Sequence, residues 1–544
     1  MRVTRIAAAG AMLALGALLF TAAGCGGSGS NESATPTTTT KTTGGTLHVN
    51  VSDTDVQSID PAIDYENVGW AIEYATCLKL VNYPDKAGSA GTQLVPDAAT
   101  AMPTVTDGGK TYRFTIRPGL AFNTGEKVTA ATFAHVINRD LTPALQSPAV
   151  SFLSDVVGAD AVASGKAKTA SGVTANGDEL TIRLTREAPD LVARLAMPFF
   201  CAVPLKLPAT PQEKAMPSAG PYYISSRTPN RQVTLKRNPH YGGTRPQNSD
   251  LIALTTNTNQ AQSLLQVRAG QADYDLGGLP PASISSLQKE FGVNKERFFV
   301  HTAPVVYYAA LNMRRLDLAT RKAINYAIDR RALARQAGAL AGTPTDQILP
   351  PTINGYRDAL IYPVDRPNVA RAKQLLGDRH PTLNIYTQAG QTGEAQAQVI
   401  KANLKAIGVD STVKALPFAT LNRAIGNPKE PYDIALTGWF ADYPDPVDFV
   451  NILLDGANIH DQNNVNVALM DVPAFNTRMR KAALLSGKER YQTYGTLDVD
   501  IMRDVAPWAA TYNGNTREFV SDRLGCYIYQ PAQGVLDLAA ACIE

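Results

Sequence analysis

The sequence lacks the short motifs of several enzyme classes. No Gly-x-Ser-x-Gly turn, His-Glu-x-x-His pair or phosphate-binding glycine loop occurs in its 544 residues. The six histidines stand one by one along the chain, and no Cys-x-x-Cys pair accompanies them. These absences argue against a hydrolase and a dedicated metal site. We therefore predict a protein that is not an enzyme and that carries no cofactor and no bound metal.

An excess of one charge is also absent. The chain has 51 Lys and Arg residues against 48 Asp and Glu residues, a formal net charge of +3. This near balance argues against a nucleic-acid partner. After the first 23 residues no second long apolar run appears, so we expect no membrane-spanning helix in the rest of the chain. The remaining length exceeds what one hydrophobic core usually serves, which predicts two or three lobes.

The first 24 residues have the pattern of an export signal. Arg2 and Arg5 precede an apolar run from residue 6 to 23, and small residues follow it. Residues 22–25 (Ala-Ala-Gly-Cys) resemble the bacterial lipobox, so we predict a lipoprotein signal peptide over 1–24 and lipid attachment at Cys25. The alternative is plain secretion. Residues 25–44 contain no large apolar side chain and are predicted to be a disordered tether.

Cysteine is scarce apart from Cys25. An even number of cysteines in an exported chain predicts two disulfides, with three possible connectivities. The closeness of Cys526 to Cys542 favours that pair, and Cys77 with Cys201 follows by elimination. The alternative is that these cysteines are buried free thiols.

Strand and helix patterns are mixed along the chain. Residues 46–51 alternate as a strand does, and residues 319–337 have the apolar spacing of one long helix. Strands predicted at 382–386 and 410–415 flank a helix predicted at 394–407. This β-α-β unit favours a partly parallel sheet and an α/β fold class.

The loop from Trp439 to Pro446 combines aromatic residues, carboxylates and prolines. Aromatic faces bind planar or apolar ligand groups, and a carboxylate among them can pair with a ligand's amine. The two prolines stiffen the segment, and a predicted buried strand over 432–437 precedes it. Two interpretations remain open at this point: a ligand-binding wall, or an aromatic turn that closes the edge of the core.

Seven segments in order resemble one family, the bacterial extracellular solute-binding proteins of family 5, which are peptide-, dipeptide- and nickel-type lipoproteins of ABC importers. They cover nearly all of the mature chain, and their number and order make the resemblance specific. The segments are 58–62, 107–119, 122–130, 218–222, 237–241, 321–330 and the loop around Asp442.

The resemblance implies a periplasmic-binding-protein-like fold, with two lobes of mixed sheets joined by a hinge. One lobe would comprise residues 45–300 and 511–544, with residues 85–215 as an extra subdomain. The second would comprise residues 301–510. The solute would be held between the lobes.

The resemblance also implies site residues. In peptide-binding members, an aspartate in the loop that matches Asp442 pairs with the ligand's amino group, and we expect the same of Asp442. Asp445, between two prolines, is expected to have a turn role. Further ligand contacts are expected from Trp439, Phe440, Tyr443, Tyr307, Tyr308, Tyr512, Tyr65 and Trp70. The alternative for each tyrosine is half-buried packing, which is the commoner role of this residue type.

The function implied is capture of a small solute, most simply a peptide, for delivery to permease subunits of an ABC importer. The protein would be a monomer, lipid-anchored to the outer face of the cytoplasmic membrane in the periplasmic space. Two alternatives stay open. The solute could be a metal chelate, an opine or a sugar, or the protein could be a ligand-sensing lipoprotein.

Overall fold

Three sheets of different size organise residues 43–544, which are the part of the chain that the computed structural model describes. The predicted signal peptide, Cys25 and the tether up to residue 42 lie outside the described residues. These sheets have six, five and four strands. Separate sheets of two short strands each accompany them. The predicted α/β class is confirmed, because helices alternate with strands of mixed direction.

The strands are β1 (Thr46–Ser52), β2 (Val81–Asn82), β3 (Val95–Pro96), β4 (Thr104–Thr106), β5 (Thr111–Thr115), β6 (Val173–Asn176), β7 (Glu179–Arg183), β8 (Tyr222–Thr228), β9 (Gln232–Arg237), β10 (Leu251–Thr258), β11 (Tyr274–Asp275), β12 (Phe298–Leu311), β13 (Gly342–Pro344), β14 (Thr382–Gln388), β15 (Asp410–Leu416), β16 (Ile434–Phe440), β17 (Trp508–Phe519), β18 (Leu524–Gly525), β19 (Tyr529–Gln530), β20 (Val535–Leu536) and β21 (Cys542–Ile543).

The α-helices are α1 (Asn67–Thr76), α2 (Ala130–Asp140), α3 (Ala159–Ala163), α4 (Leu191–Arg194), α5 (Gln260–Arg268), α6 (Ile284–Phe291), α7 (Leu318–Ala327), α8 (Arg330–Gln336), α9 (Val369–Leu376), α10 (Gln391–Ala406), α11 (Phe418–Ile425), α12 (Pro446–Leu454), α13 (Pro473–Ala483) and α14 (Gly487–Asp504). Short 3-10 helices span Gly88–Thr92, Pro143–Leu145, Pro148–Leu153, Pro198–Phe200, Pro281–Ser283 and Gly456–Asn458. Of the helices in residues 43–544, none combines the length and the apolar character that a bilayer crossing needs.

The five-stranded sheet has the order β11-β1-β10-β9-β8. Its strand β1 runs parallel to both β10 and β11, as expected for a strand covered on both faces. The side chains of Leu47, Val49 and Val51 in β1 are at most 1% exposed. Leu536 and Leu538, near the end of the chain, pack into the same core. The C-terminal segment therefore completes the core that the N-terminal strand begins.

The six-stranded sheet has the order β13-β17-β12-β16-β14-β15. The predicted β-α-β unit is confirmed, because β14 and β15 pair in parallel on either side of α10 in the chain. The single helix predicted over 319–337 is wrong, since α7 and α8 replace it. Asp329 accepts a hydrogen bond from the backbone N–H of Ala332 at 2.8 Å and so begins a new helix. The helical spacing of apolar residues continues across this break, so the sequence pattern alone does not reveal where α7 ends and α8 begins.

Two long strands, β12 and β17, lie antiparallel from Phe298 opposite Phe519 to Ala310 opposite Trp508. Phe298 and Phe519 pack with α5 and α6, whereas the other end of the pair packs in the core of the six-stranded sheet. The register shifts between Thr302 and Val306, a place where a strand pair bends. The predicted lobe boundaries, 300/301 and 510/511, fall inside these two strands. The lobe assignment itself stays a prediction.

The four-stranded sheet, β4-β5-β7-β6, packs with α2 inside the range predicted as an extra subdomain. Thr129 and Thr132 form a reciprocal capping box at the start of α2. Near the end of α2, Arg139 donates two hydrogen bonds to the Asp60 carboxylate, at 2.9 and 2.6 Å. Both side chains are at most 1% exposed. This buried ion pair joins the subdomain to the segment that follows β1.

Both predicted disulfides are confirmed. Cys77 is bonded to Cys201, and Cys526 to Cys542. Cys77 directly follows α1, and Cys201 directly follows the 3-10 helix Pro198–Phe200. The first bond therefore ties the end of α1 to a segment 124 positions further along the chain.

Candidate functional site

The segment around Asp442 begins as a strand and ends as a helix. Strand β16 extends three residues beyond its predicted end, because Trp439 and Phe440 pair with Val306 and Val305 of β12. Helix α12 then begins at Pro446, where a proline's missing N–H costs nothing. Only residues 441–445 form the loop between them. The carboxylate of Asp442 is thus held between two well-supported elements.

Asp445 has the structural role that its position between prolines predicts. Its side chain accepts a hydrogen bond from the backbone N–H of Val447 at 2.9 Å and caps α12. It also forms an ion pair with Arg490, whose Nη2 lies 2.8 Å from Asp445 Oδ1. Both of its oxygens are therefore engaged within the protein.

Asp442 faces Tyr65, which lies 377 positions earlier in the chain. The Tyr65 hydroxyl donates a hydrogen bond to Asp442 Oδ2 at 2.7 Å. Burial raises the pKa of Asp442 to about 7, although this hydrogen bond opposes the shift. Burial and the charge of Asp442 together raise the pKa of Tyr65 well above its usual value. Tyr65 therefore remains a hydrogen-bond donor to this carboxyl group.

A second carboxyl group, Asp448 on α12, supports the loop from behind. Its Oδ2 accepts hydrogen bonds from the indole Nε1 of Trp439 and the backbone N–H of Asp442, both at 3.0 Å. Asp448 has no exposed surface. Burial, and then the charge of Asp442, raises its pKa well above the usual value. Asp448 is the more deeply buried of the two, so burial disfavours its charged form more strongly than that of Asp442.

A cavity of about 620 Å³ opens beside Asp442. This volume lies within the range typical of small-molecule sites. Its wall is formed by residues from segments 65–70, 418–425, 437–442 and 463–467, together with Tyr308. Six of the predicted contact residues line it: Tyr65, Trp70, Tyr308, Trp439, Phe440 and Asp442. The structure thus brings together side chains that are separated by almost 400 positions.

The aromatic side chains of this wall are held in place by the protein. The indole Nε1 of Trp70 donates to the backbone oxygen of Asp64 at 2.9 Å. The rings of Tyr65, Trp70 and Phe199 lie 5.3 to 5.5 Å apart, in tilted and edge-on arrangements that aromatic pairs favour. The wall beside Asp442 is therefore preorganised.

Three predicted contact residues lie outside the cavity wall. The Tyr443 hydroxyl donates to Asp190 Oδ2 at 3.0 Å, and its ring packs in the core of the extra subdomain region. Tyr307 and Tyr512 stack on each other with ring centroids 4.7 Å apart. The ligand contacts assigned to these three side chains stay predictions.

Sequence reasoning missed several residues of the cavity. It also missed Asp448, which lies behind the loop and outside the cavity wall, because a position six residues after Asp442 gives no local signal of contact. Asn422, Arg423 and Asn463 also line the cavity, and within residues 43–544 their side chains make no hydrogen bond or ion pair. These polar groups are free to bind a ligand. Within the same residues, no cluster of three or more His, Cys, Asp or Glu side chains has the geometry of a metal site.

Two known proteins are similar in sequence to most of this chain. The Oligopeptide-binding protein OppA of Bacillus subtilis (strain 168) is 24% identical over 466 residues, which cover 80% of this chain and 82% of the relative. The Probable D,D-dipeptide-binding periplasmic protein DdpA of Escherichia coli (strain K12) is 25% identical over 422 residues, which cover 73% and 75%.

Solved structures share the fold. The structure titled Clavulanic acid biosynthesis oligopeptide binding protein 2 superposes with a TM-score of 0.85 at 24% identity, covering 93% of this chain and 96% of the other. The profile of the Bacterial extracellular solute-binding proteins, family 5 Middle, matches residues 93–461, more than half of the chain. The chain therefore belongs to the bacterial extracellular solute-binding proteins of family 5.

Proposed function

We propose that this protein binds a peptide by its free amino terminus and delivers it to the permease of an ABC importer. The observation that carries the proposal is Asp442, whose half-buried carboxyl group lines a 620 Å³ cavity and accepts no hydrogen bond from a cationic side chain of residues 43–544. The names of the relatives, an oligopeptide-binding and a D,D-dipeptide-binding protein, support a peptide as the solute.

The chemistry of capture is a charge-assisted hydrogen bond. Ionised Asp442 accepts from the ligand's ammonium group, while Tyr65 keeps its own hydrogen bond to the carboxylate. Protonated Asp448 avoids a second negative charge beside it. A ligand that fills the cavity displaces water from its wall, and this strengthens the ion pair relative to one in bulk solvent.

Closure follows from the placement of the two partners. In this proposal Tyr65 belongs to the lobe of residues 45–300 and 511–544, and Asp442 to the lobe of residues 301–510. Strands β12 and β17 connect the lobes, and the register shift between Thr302 and Val306 provides the bend. A ligand that contacts both lobes stabilises the closed form by its greater affinity for it.

The proposal assigns the protein to the outer face of the cytoplasmic membrane. A lipid on Cys25 would anchor it there, and residues 25–44, which lack large apolar side chains, would serve as a tether that lets a monomer reach the permease. The chain would bind and release its solute without changing a covalent bond, and so it would not be an enzyme. These assignments rest on the leader pattern and on the family.

A mixed library of short peptides tests the function. We expect the library to raise the melting temperature of the purified protein, because a ligand at 100 times its Kd adds about 2.7 kcal/mol to the free energy of unfolding. Native mass spectrometry should then identify peptides that carry a free amino terminus. A library in which every amino terminus is acetylated is the control. An equal response to both libraries would contradict the proposal.

Affinity for such peptides should depend on pH. The pKa of Asp442 is about 7 without ligand, and an ammonium partner lowers it, so binding releases a proton. Affinity is therefore greatest between about pH 7 and 8, because the ligand's own amino group loses its proton above that range, and it should fall about tenfold per unit as the pH drops from 7 to 5. Calorimetric titration across this range measures it. A Kd that stays constant between pH 5 and 7 would refute ion pairing at Asp442.

A further inference from the structure

An apolar stripe on α11 runs out of the core and into the cavity. Phe418, Leu421 and Ile425 stand at helical spacing on one face of this helix. Leu421 and Ile425 are 3% exposed, because the core of the six-stranded sheet covers them. Phe418, one turn earlier, keeps 56% of its surface exposed and lines the cavity. The apolar stripe thus ends in Phe418, an aromatic side chain that residues 43–544 leave partly uncovered.

The neighbouring segment 463–467 repeats this pattern. Val467 is 6% exposed, whereas Val465, two positions earlier, is 38% exposed and lines the same cavity. Both Phe418 and Val465 therefore present apolar surface to water inside a concave site. Covering such surface is favourable by about 25 cal/mol per Å².

We propose that Phe418 and Val465 form a subsite for a large apolar side chain within the first two residues of the ligand. The subsite rests on the proposed function, since Asp442 in the same cavity fixes the amino terminus. It narrows the ligand class from peptides in general to peptides that begin with an apolar residue at position one or two. Asn422 and Asn463 lie on the same two segments and line the same cavity, and their free amide groups can hydrogen-bond to the backbone of a bound peptide.

The test compares three tripeptides by isothermal titration: Phe-Ala-Ala, Ala-Phe-Ala and Ala-Ala-Ala. The wild-type protein is expected to bind the tighter of the two phenylalanine peptides at least about tenfold better than Ala-Ala-Ala, which corresponds to 1.4 kcal/mol. In the Phe418→Ser variant this ratio should fall to about twofold or less. Val465→Ser should also lower this ratio. Agreement between the two variants would show that the effect is not specific to the Phe418 substitution.

Leu360→Ser is the matched control. Leu360 is 63% exposed and stands outside the cavity wall, so the same apolar-to-polar change there should leave the ratio as in the wild type. Melting temperatures of all variants verify folding, which we expect to be retained because the replaced side chains are exposed.

The possible failures are distinguishable. If peptides bind and Asp442→Asn weakens them, but Phe418→Ser leaves the ratio unchanged, the subsite is refuted and the proposed function stands. A wild-type protein that binds peptides without preferring either phenylalanine peptide also refutes the subsite alone. If no tripeptide binds the wild-type protein at all, the proposed function fails and the subsite fails with it.

Discussion

Asp442→Asn is expected to weaken binding of peptides with a free amino terminus by about 30-fold or more. Removing one partner of a desolvated charge pair costs about 2–5 kcal/mol, and 1.4 kcal/mol is a factor of ten. Asparagine keeps the size of the side chain and can still accept the hydrogen bond from Tyr65. The loss is therefore expected in affinity for the ligand and not in folding.

The measurement is a calorimetric Kd at pH 7.5, together with a melting curve of the unliganded variant. Asp365→Asn serves as the control, because its side chain is 73% exposed and lies outside the cavity wall. The same peptides with an acetylated amino terminus should bind wild type and Asp442→Asn equally weakly. Unchanged affinity of the free-amine peptides for Asp442→Asn would remove the amine-anchor hypothesis.

Asp60→Ala is expected to lower the free energy of unfolding by about 3–5 kcal/mol, since it leaves Arg139 as an unpaired buried charge. The Asp60 carboxylate also accepts hydrogen bonds from the backbone N–H groups of Ala62 and Gln212, at 3.2 and 2.9 Å. Arg139 in turn donates to the backbone oxygens of Pro208 and Thr210. One carboxylate therefore holds together three distant segments of the chain.

The matched comparison is the exposed ion pair of Arg331 and Asp365, whose side chains are 57% and 73% exposed. Asp365→Ala should cost less than about 1 kcal/mol, because solvent screens such pairs. Urea unfolding, followed by circular dichroism in the same buffer, gives the unfolding midpoints of the Asp60→Ala and Asp365→Ala variants. Similar midpoints for Asp60→Ala and Asp365→Ala would show that the buried pair does not hold the subdomain in place.

Local patterns predicted much of the fold correctly. Alternating apolar residues in β1 are buried as expected, and the β-α-β unit of β14, α10 and β15 forms a parallel pair. Such patterns work because burial follows the period of the element. The helix over 319–337 failed for a local reason, since Asp329 offers a competing hydrogen bond that apolar periodicity does not register.

The aromatic residues of the Asp442 loop had two interpretations in the sequence, and each describes part of the loop. Trp439 and Phe440 line the cavity, whereas Tyr443, three residues later, packs in the core and hydrogen-bonds to Asp190. The amino-acid composition of the loop does not show which of its aromatic side chains face the cavity and which face the core. The direction of each side chain depends on where the strand ends and on which segment packs against the loop.

Local sequence was enough to assign Asp445 to a turn and to pair the four cysteines of residues 43–544, whereas the ligand role expected of Asp442 came from the family resemblance. The turn role depends on the neighbouring prolines, and the disulfide pairing depends on a choice among only three possible connectivities. Only the folded chain decided that Tyr65 meets Asp442 across 377 positions and that Asp448 lies behind it. The state of the Asp442 carboxyl group follows from burial and from these contacts, and both arise when distant segments pack together.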